Sequence, residues 1–407
     1  MDPEPLGALD GIRVIDLTQV LAGPFCTQIL ADHGATVIKV ESLKGDETRR
    51  LGPYRADDER REISGYYQSI NRNKQSIAID LKSPEGRQVL LGLIDGADAI
   101  VENSRCGVME RLGLSCELLA ERNPKLVYAA IRGFGDPRSG ESPYATWPAF
   151  DIIGQAMGGM MGVTGPDADT PVKVGPGVGD LIPGLYAAIG ILMAAYERER
   201  SGQGQYVDMT LHDCGMALLH PQAANFFLNG KRPVPLGNPH PNIAPYEKYA
   251  TRTCEIFIAV GNDGQFRKLC DLIGRPELPG DPRFASNSQR VSNRAALMAE
   301  LGAAFAPEDG HELTTRMLRA GLPAGPVLPV DEAMAAPHTA ARGMVTELGG
   351  YRALGTPIKL SRTPGGTRAA PPRFNEHGRT VLQSRGFSAE EIAALEEGGI
   401  VPTKRRK

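Results

Sequence analysis

Asp180 follows the loop Gly175-Pro176-Gly177-Val178-Gly179 and opens the apolar stretch 181–196. A carboxylate in this place can act as a nucleophile. The N-terminus of a helix offers unpaired N–H groups and a positive dipole end, which predicts that Asp180 stays ionised at neutral pH. The glycines ahead of it let a substrate approach the backbone closely, and their N–H groups are suited to holding an oxyanion. The same position also suits an N-cap, where an aspartate satisfies the first-turn amides and does nothing more. Both readings stand on the local sequence.

Composition narrows the setting. The 407 residues are 41% hydrophobic and 23% charged, as expected of a globular chain with room for two domains. A net charge of −3 gives no electrostatic case for nucleic acid or an anionic membrane. The run Lys404-Arg405-Arg406-Lys407 reads as a solvated tail rather than a binding patch. Cysteines at 26, 106, 116, 214, 254 and 270 form no Cys-x-x-Cys pair and no zinc spacing with histidine, so no metal is expected and the thiols suit a reducing compartment. The N-terminal residues lack the basic and apolar regions of a signal peptide. The run 181–196 falls short of the roughly 20 residues that span a bilayer. A cytoplasmic protein away from the membrane is the expectation.

The elements that must hold Asp180 follow from hydrophobic patterning. Short β-branched runs at 12–17, 36–40, 76–81, 97–102 and 126–131 read as buried strands, with helices at 24–33 and 84–94 between them, the second capped by Ser83 with Pro84 in its first turn. Strand and helix in alternation predict βαβ units and a parallel, Rossmann-like sheet in an α/β fold. Glu41 at the end of the second strand invites a dinucleotide reading, but the first turn, Val20-Leu21-Ala22-Gly23-Pro24, lacks the Gly-x-Gly-x-x-Gly fingerprint and disfavours it. Further helices are expected at 151–163, 180–199 and 212–228, and a strand at 205–211. A Pro- and Gly-rich break at 230–245 precedes a strand at 254–260 and helices at 265–273, 292–305 and 311–320. The expected organisation is a large domain from 1–224, a small α/β domain at 225–325, and a segment 326–407 that completes the large domain, with a strand near 344–348 and a terminal helix at 388–397.

Several segments in order resemble the class III (CaiB/BaiF, formyl-CoA transferase-like) CoA-transferase family. They are Leu9-Asp10-Gly11-Ile12-Arg13-Val14-Ile15-Asp16-Leu17, Ala22-Gly23-Pro24, Gly34-Ala35-Thr36-Val37-Ile38-Lys39-Val40-Glu41, Asn71-Arg72-Asn73-Lys74 and Glu102-Asn103-Ser104-Arg105. Gly179-Asp180, Ser201-Gly202-Gln203-Gly204-Gln205, Gly321-Leu322-Pro323-Ala324-Gly325-Pro326-Val327 and Ala341-Arg342-Gly343-Met344 complete the series. The resemblance implies that Asp180 attacks an acyl-CoA thioester to give a mixed anhydride and then an aspartyl-CoA thioester. It implies an interlocked homodimer whose two chains thread through each other. It also implies that coenzyme A lies along Val20, Leu21 and Ala22, with Asn73, Lys74, Asn103, Arg105 and Arg111 in the segments that hold it, although each cation taken alone also suits a solvated surface. Cys106 and Ser42 depart from residues common in the family at these positions.

Racemases of the same fold use a histidine where this chain has Phe150, and a phenyl ring moves no proton, so transfer is favoured over α-methylacyl-CoA racemisation. A non-catalytic CoA-binding protein is the alternative of another class. Asp151 suits either the substrate or the cap of the helix that follows it. The loop 132–140 offers two arginines, Arg132 and Arg138, either of which can pair with the second carboxylate of a small dicarboxylic acid. The Pro-rich loop near Gly237 is a candidate lid over the substrate, and His240 in the same loop suits either a place facing the site or a structural or exposed one.

Overall fold

Six strands form one parallel sheet: β1 (Arg13–Asp16), β2 (Thr36–Glu41), β3 (Lys74–Ala78), β4 (Ala99–Glu102), β5 (Val127–Arg132) and β6 (Tyr206–Thr210), in the order β3-β2-β1-β4-β5-β6. The computed structural model describes residues 7–406. β4 and β5 are buried along their whole length, which is why they read as unbroken apolar runs. Alternate side chains feed two cores. Ile15, Ile38, Ile77 and Ile100 pack with Val89, Leu90 and Leu93 of the helix Pro84–Ile94 on one face. On the other, Val14, Val37, Val101 and Ala129 meet Cys26 and Leu30 of the helix Ala22–Asp32 and Ala187, Ala188 and Ile191 of the helix Val178–Ser201. The strand order is that of a doubly wound dinucleotide fold, although the glycine fingerprint is missing; it reverses between β1 and β4, opening a crevice at their carboxyl ends.

The helix Val178–Ser201 is longer than the stretch 180–199 read for it, and an 18-residue stretch within its 24 residues meets the length and apolarity of a bilayer span. Its buried alanines pack against the sheet, so this is the apolarity of a helix that covers a core.

Charges are buried beneath β1–β3. Lys74 Nζ donates to Asp16 Oδ2 at 3.0 Å, Pro24 O at 2.8 Å and Asn71 Oδ1 at 2.9 Å. Lys39 Nζ donates to Thr18 O at 2.9 Å and pairs with Asp46 at 2.8 Å. Burial alone would raise the Asp16 carboxyl, but the Lys74 and Lys39 charges and the Thr18 and Thr27 hydroxyls outweigh it and hold the group at about 2.

The described chain divides into two compact units, and their limits differ from those expected. The second unit comprises Met161–Lys173 and Pro221–Ala336; the first holds the remaining described residues. Residues 212–228 are not one helix: Leu211–Ala217 ends before His220-Pro221, and Gln222–Asn229 begins after it, because proline cannot continue the hydrogen-bond ladder. Met161–Lys173 belongs to the second unit, where Gly237 N donates to Gly165 O at 2.9 Å. A boundary at 325 would cut β9. Within the second unit β7 (Tyr246–Ala250), β8 (Glu255–Ala259) and β9 (Ala324–Pro326) form an antiparallel sheet in which Ile256 faces Pro326. Ile256, Phe266, Leu269, Phe305, Leu313 and Met317 make its core.

The C-terminal segment returns to the first unit through the strands Val345–Leu348 and Tyr351–Leu354 and the helix Ala389–Glu397, whose start is a capping box of Ser388 and Glu391. The tail beyond is not loosely solvated. Asp80 N donates to Ile400 O at 2.9 Å, Val401 is buried in the core, and Arg406 N donates to Leu43 O at 2.8 Å.

Candidate active site

At the carboxyl ends of β1, β4 and β5 a cavity of about 310 Å³ is lined by Gln19, Val20, Leu21, Ala22, Asn103, Arg105, Arg132, Trp147, Phe150 and Asp180, among others. This is the crevice at the reversal of strand order, where ligands of open α/β sheets bind. Asn103 ties its two sides together: its Oδ1 accepts from Gln19 N at 2.9 Å and its Nδ2 donates to Gln19 O at 2.7 Å. Val20 has φ 70°, a left-handed conformation that strains a β-branched residue, and it bends the chain so that Leu21 and Ala22 reach the wall.

The helix that carries Asp180 starts at Val178, and its cap comes from elsewhere. The N-cap residue is Gly177, which has no side chain to offer. Asp151 supplies the missing group: its Oδ1 accepts from Gly179 N at 2.7 Å, and Gln155 Nε2 donates to both its oxygens. Asp151 therefore caps the neighbouring helix rather than its own, Asp151–Met157, whose N-cap position is held by Phe150. Asp180 lies in the first turn, and among the described residues its carboxylate has no hydrogen-bond partner. It is not acting as a cap.

The expectation that Asp180 stays ionised at neutral pH needs correction. Burial, and then the charge of Asp151, push its carboxyl up to about 7. The group is poised near half ionisation at neutral pH, and desolvation leaves its anion more basic than an ordinary aspartate. Tyr66, missed in the sequence, lies within electrostatic reach: its hydroxyl is pushed up to about 12 by burial and by Asp180 and Asp151. If the ionised form of Asp180 reacts, kcat/KM is expected to fall about tenfold per pH unit below about 7 and level off above it, as measured by initial rates over pH 5–9.

The amides of Val178, Gly179 and Asp180 are not available for an oxyanion. Val178 N donates to Pro176 O, Gly179 N to Asp151, and Asp180 N to Gly177 O. The tight entry into the helix has consumed them. It also leaves no space at Gly179, where a Cβ would lie 2.3 Å from Asp151 O. Gly179→Ala is therefore expected to cost roughly 1–3 kcal/mol and to lower kcat sharply by displacing Asp180, as checked by thermal melts and turnover.

A second cavity, of about 570 Å³, adjoins the first through Gln19 and Ser104, which line both. Its walls include Leu17, Val40, Ile79, Leu81, Val108, Met109 and Leu112, with Lys44, Lys82 and Arg406 as its cations. An apolar slot with a few charges at the carboxyl edge of a sheet suits a nucleotide-sized ligand.

These features agree with comparisons to known proteins. A model of CoA-transferase family III matches residues 9–378. The chain belongs to this family. It is 40% identical to the succinyl-CoA:mesaconate CoA-transferase of Haloarcula hispanica, over 94% of this chain and 97% of that protein. It is 39% identical to the succinate–glutarate CoA-transferase of Agrobacterium fabrum, over 92% of this chain and 94% of that protein. A solved CaiB/BaiF family protein from Brucella suis superposes with a TM-score of 0.84 at 42% identity, over 93% of this chain and 99% of that one. The protein is an enzyme, a family III CoA-transferase with the mixed α/β, parallel-sheet fold of its relatives.

In this CoA-transferase, Val20, Leu21, Ala22, Asn103, Arg105, Phe150 and Asp180 converge on one cavity. Others lie elsewhere. Lys74 is fully enclosed, with three acceptors around Nζ, and has nothing left for a phosphate. Asn73 fastens the C-terminal segment: it donates to Asp32 and Gly366 O and accepts from Arg368 N and Ala369 N. Arg111 stands exposed at the end of the short helix Val108–Arg111. Arg138 is held by Glu117 at 2.6 Å, Glu110 at 3.0 Å and Asp136 at 3.0 Å, so its charge is already answered.

Gly237 and His240 belong to the second unit, whereas every residue lining the Asp180 cavity comes from the first. A Cβ at Gly237, which has φ 73°, would lie 3.0 Å from Pro166 O. His240 Nδ1 accepts from Asn242 N, and its ring meets Tyr246 at a tilt of 51°, with centroids 5.2 Å apart. Local geometry explains both. Of the two arginines in the loop 132–140 only Arg132 lines this cavity, and sequence reasoning missed Gln19 and Trp147, because nothing in the spacing of single residues shows that the ends of separate strands meet.

Proposed function

We propose that the protein moves CoA from an acyl-CoA donor to a small dicarboxylic acid through covalent intermediates on Asp180. The observation that carries this reading is a buried, uncapped, unpaired carboxylate facing a cavity at the reversal of strand order. The Asp180 carboxylate attacks the thioester carbonyl, forms an acyl-aspartyl anhydride and expels CoA thiolate. The thiolate attacks the aspartyl carbonyl, giving an aspartyl-CoA thioester and releasing the donor carboxylate. The acceptor carboxylate attacks this thioester, forms a second anhydride and frees the thiolate again. Attack of the thiolate on the acceptor's carbonyl yields the new acyl-CoA and restores Asp180.

Each tetrahedral oxyanion needs donors, and the amides of Val178, Gly179 and Asp180 are engaged. The Ala22 and Gly23 amides open the helix Ala22–Asp32 and lack intrahelical acceptors, so they take this role, with the Gln19 side chain beside them. The nucleotide of CoA occupies the apolar slot between Leu17 and Leu112, and the pantetheine passes Gln19 and Ser104 to reach Asp180.

Arg105 lines the Asp180 cavity and has no carboxylate partner among the described residues, whereas Arg132 is paired with Glu102 and Asp136. Arg105 therefore replaces Arg138 as the group that meets the acceptor's second carboxylate. The relatives named for mesaconate and glutarate support a dicarboxylate acceptor. The test is CoA transfer to a panel of mono- and dicarboxylic acids. Arg105→Gln is expected to raise KM for dicarboxylates and spare monocarboxylates; equal transfer to both classes by both proteins contradicts the acceptor assignment.

We also propose that two copies form the interlocked homodimer of the family. Leu185, Ile189, Met193 and Tyr196 leave an exposed apolar face along the helix Val178–Ser201, and a second copy would cover it. Sedimentation as a monomer at micromolar concentration would contradict this.

A further inference from the structure

One group of charges takes no part in the transfer chemistry. Arg50, Arg60, Lys404, Arg405 and Arg406 line a cavity with a single acid, Glu62. Among the described residues none of these five cations is ion-paired to a carboxylate, and Glu62 itself lies 3.7 Å from Arg373. Crowded like charges repel one another, and an incoming anion relieves the repulsion.

The corner is built, not a loose basic end. Asn375 Nδ2 donates to Pro402 O at 2.8 Å, Arg406 N donates to Leu43 O at 2.8 Å, and Arg406 Nη2 donates to Gly399 O at 3.3 Å. Gly45, at φ 75°, makes room for the next side chain: a Cβ there would lie 3.1 Å from Arg405 Cδ. Arg405 Nη1 is buried with no hydrogen-bond partner. An unanswered buried guanidinium nitrogen in a ring of cations suits an oxyanion.

Position identifies the anion. Arg406 lines both this basic cavity and the apolar slot assigned above to the nucleotide. We propose that Arg50, Arg60, Lys404, Arg405 and Arg406 form a phosphate subsite that takes the 3′-phosphate of CoA while the base lies in the slot. This deepens the CoA-transfer reading and rests on it. The 3′-phosphate is a dianion at neutral pH, and guanidinium groups hold such a group by paired, charge-assisted hydrogen bonds.

Isothermal titration of the full chain with CoA and with 3′-dephospho-CoA tests the assignment, using wild type, Arg405→Gln, Arg406→Gln and Arg60→Gln. Arg60 is exposed, so its substitution leaves the fold intact. Wild type is expected to bind CoA about tenfold more tightly than the dephospho form. Each substitution is expected to weaken CoA roughly five- to tenfold and to change the dephospho form less than about twofold. Equal affinity of wild type for the two nucleotides, or equal loss on both in the variants, overturns the subsite while the CoA-transfer reading survives. Wild type that binds neither nucleotide contradicts that reading, and the subsite with it.

Discussion

Asp180→Asn is expected to abolish CoA transfer and, at the same time, to stabilise the protein. In the mechanism proposed above Asp180 carries every covalent intermediate, so its removal is expected to lower turnover by at least about 10⁴-fold, measured with saturating acyl-CoA and acceptor. The stability gain follows from the carboxyl's position. Its pKa rises from 3.8 in the ordinary state to about 7 in the fold, so between those values the folded protein binds the proton more tightly than the unfolded chain. The destabilisation therefore grows as pH rises through this window and is complete above about 7. At pH 8 the neutral asparagine removes a cost of up to about 4 kcal/mol, and near pH 4 it removes almost none. Thermal or denaturant melts at the two pH values read the difference. An inactive variant whose stability gain over wild type is no larger at pH 8 than at pH 4 would mean that Asp180 is solvated in the free enzyme.

Lys74→Met is expected to act through the fold alone. Truncating one partner of a buried pair leaves Asp16 charged and partly unanswered, at a cost of roughly 3–5 kcal/mol. The folded carboxyl of Asp16, held at about 2, contributes stability above its ordinary value of 3.8, and this is lost as pH falls toward 2. Without Lys74 that acid-resistant part shrinks, so the variant should lose stability at a higher pH than wild type. Asp16→Asn in the Lys74→Met background should recover part of the loss, since the two residues are coupled. Among molecules that remain folded, KM for the CoA thioester should stay within about threefold of wild type, because Lys74 Nζ already meets three protein acceptors. A large rise in KM with unchanged stability would return Lys74 to the CoA site.

Much of the frame was legible in the sequence, and the reason is local. Strands buried on both faces read as apolar runs, so β1, β2, β4 and β5 were found within about two residues, and Ser83-Pro84 marked its helix start. Asp180 and the turn 20–22 stood out for the same reason, since glycine, proline and a carboxylate beside an apolar helix are visible in one window. Long-range pairing was not legible. That Asp151 caps the neighbouring helix, that Asn103 clamps Gln19, and that Lys74 answers Asp16 across 58 positions are facts of tertiary packing.

The same limit explains Arg138, which lies in a promising loop but is claimed by Glu110 and Glu117 from another segment. It also explains the C-terminal run, whose composition suggested a solvated tail until its backbone was seen bonded to the loop after β2. The raised pKa of Asp180 belongs here too. A helix N-terminus argues for ionisation, but burial and a second carboxylate outweigh it, and neither is visible from position 180 alone.

The central claim is that Asp180 forms a covalent bond to acyl and then to CoA. Rapid mixing with an acyl-CoA, acid quench, proteolysis and mass spectrometry measures this directly. The peptide containing Asp180 is expected to gain the mass of CoA less one water, at Asp180 itself, and to lose it when an acceptor acid is added before the quench. An unmodified peptide under every acyl-CoA tried, with transfer persisting in Asp180→Ala, would contradict it.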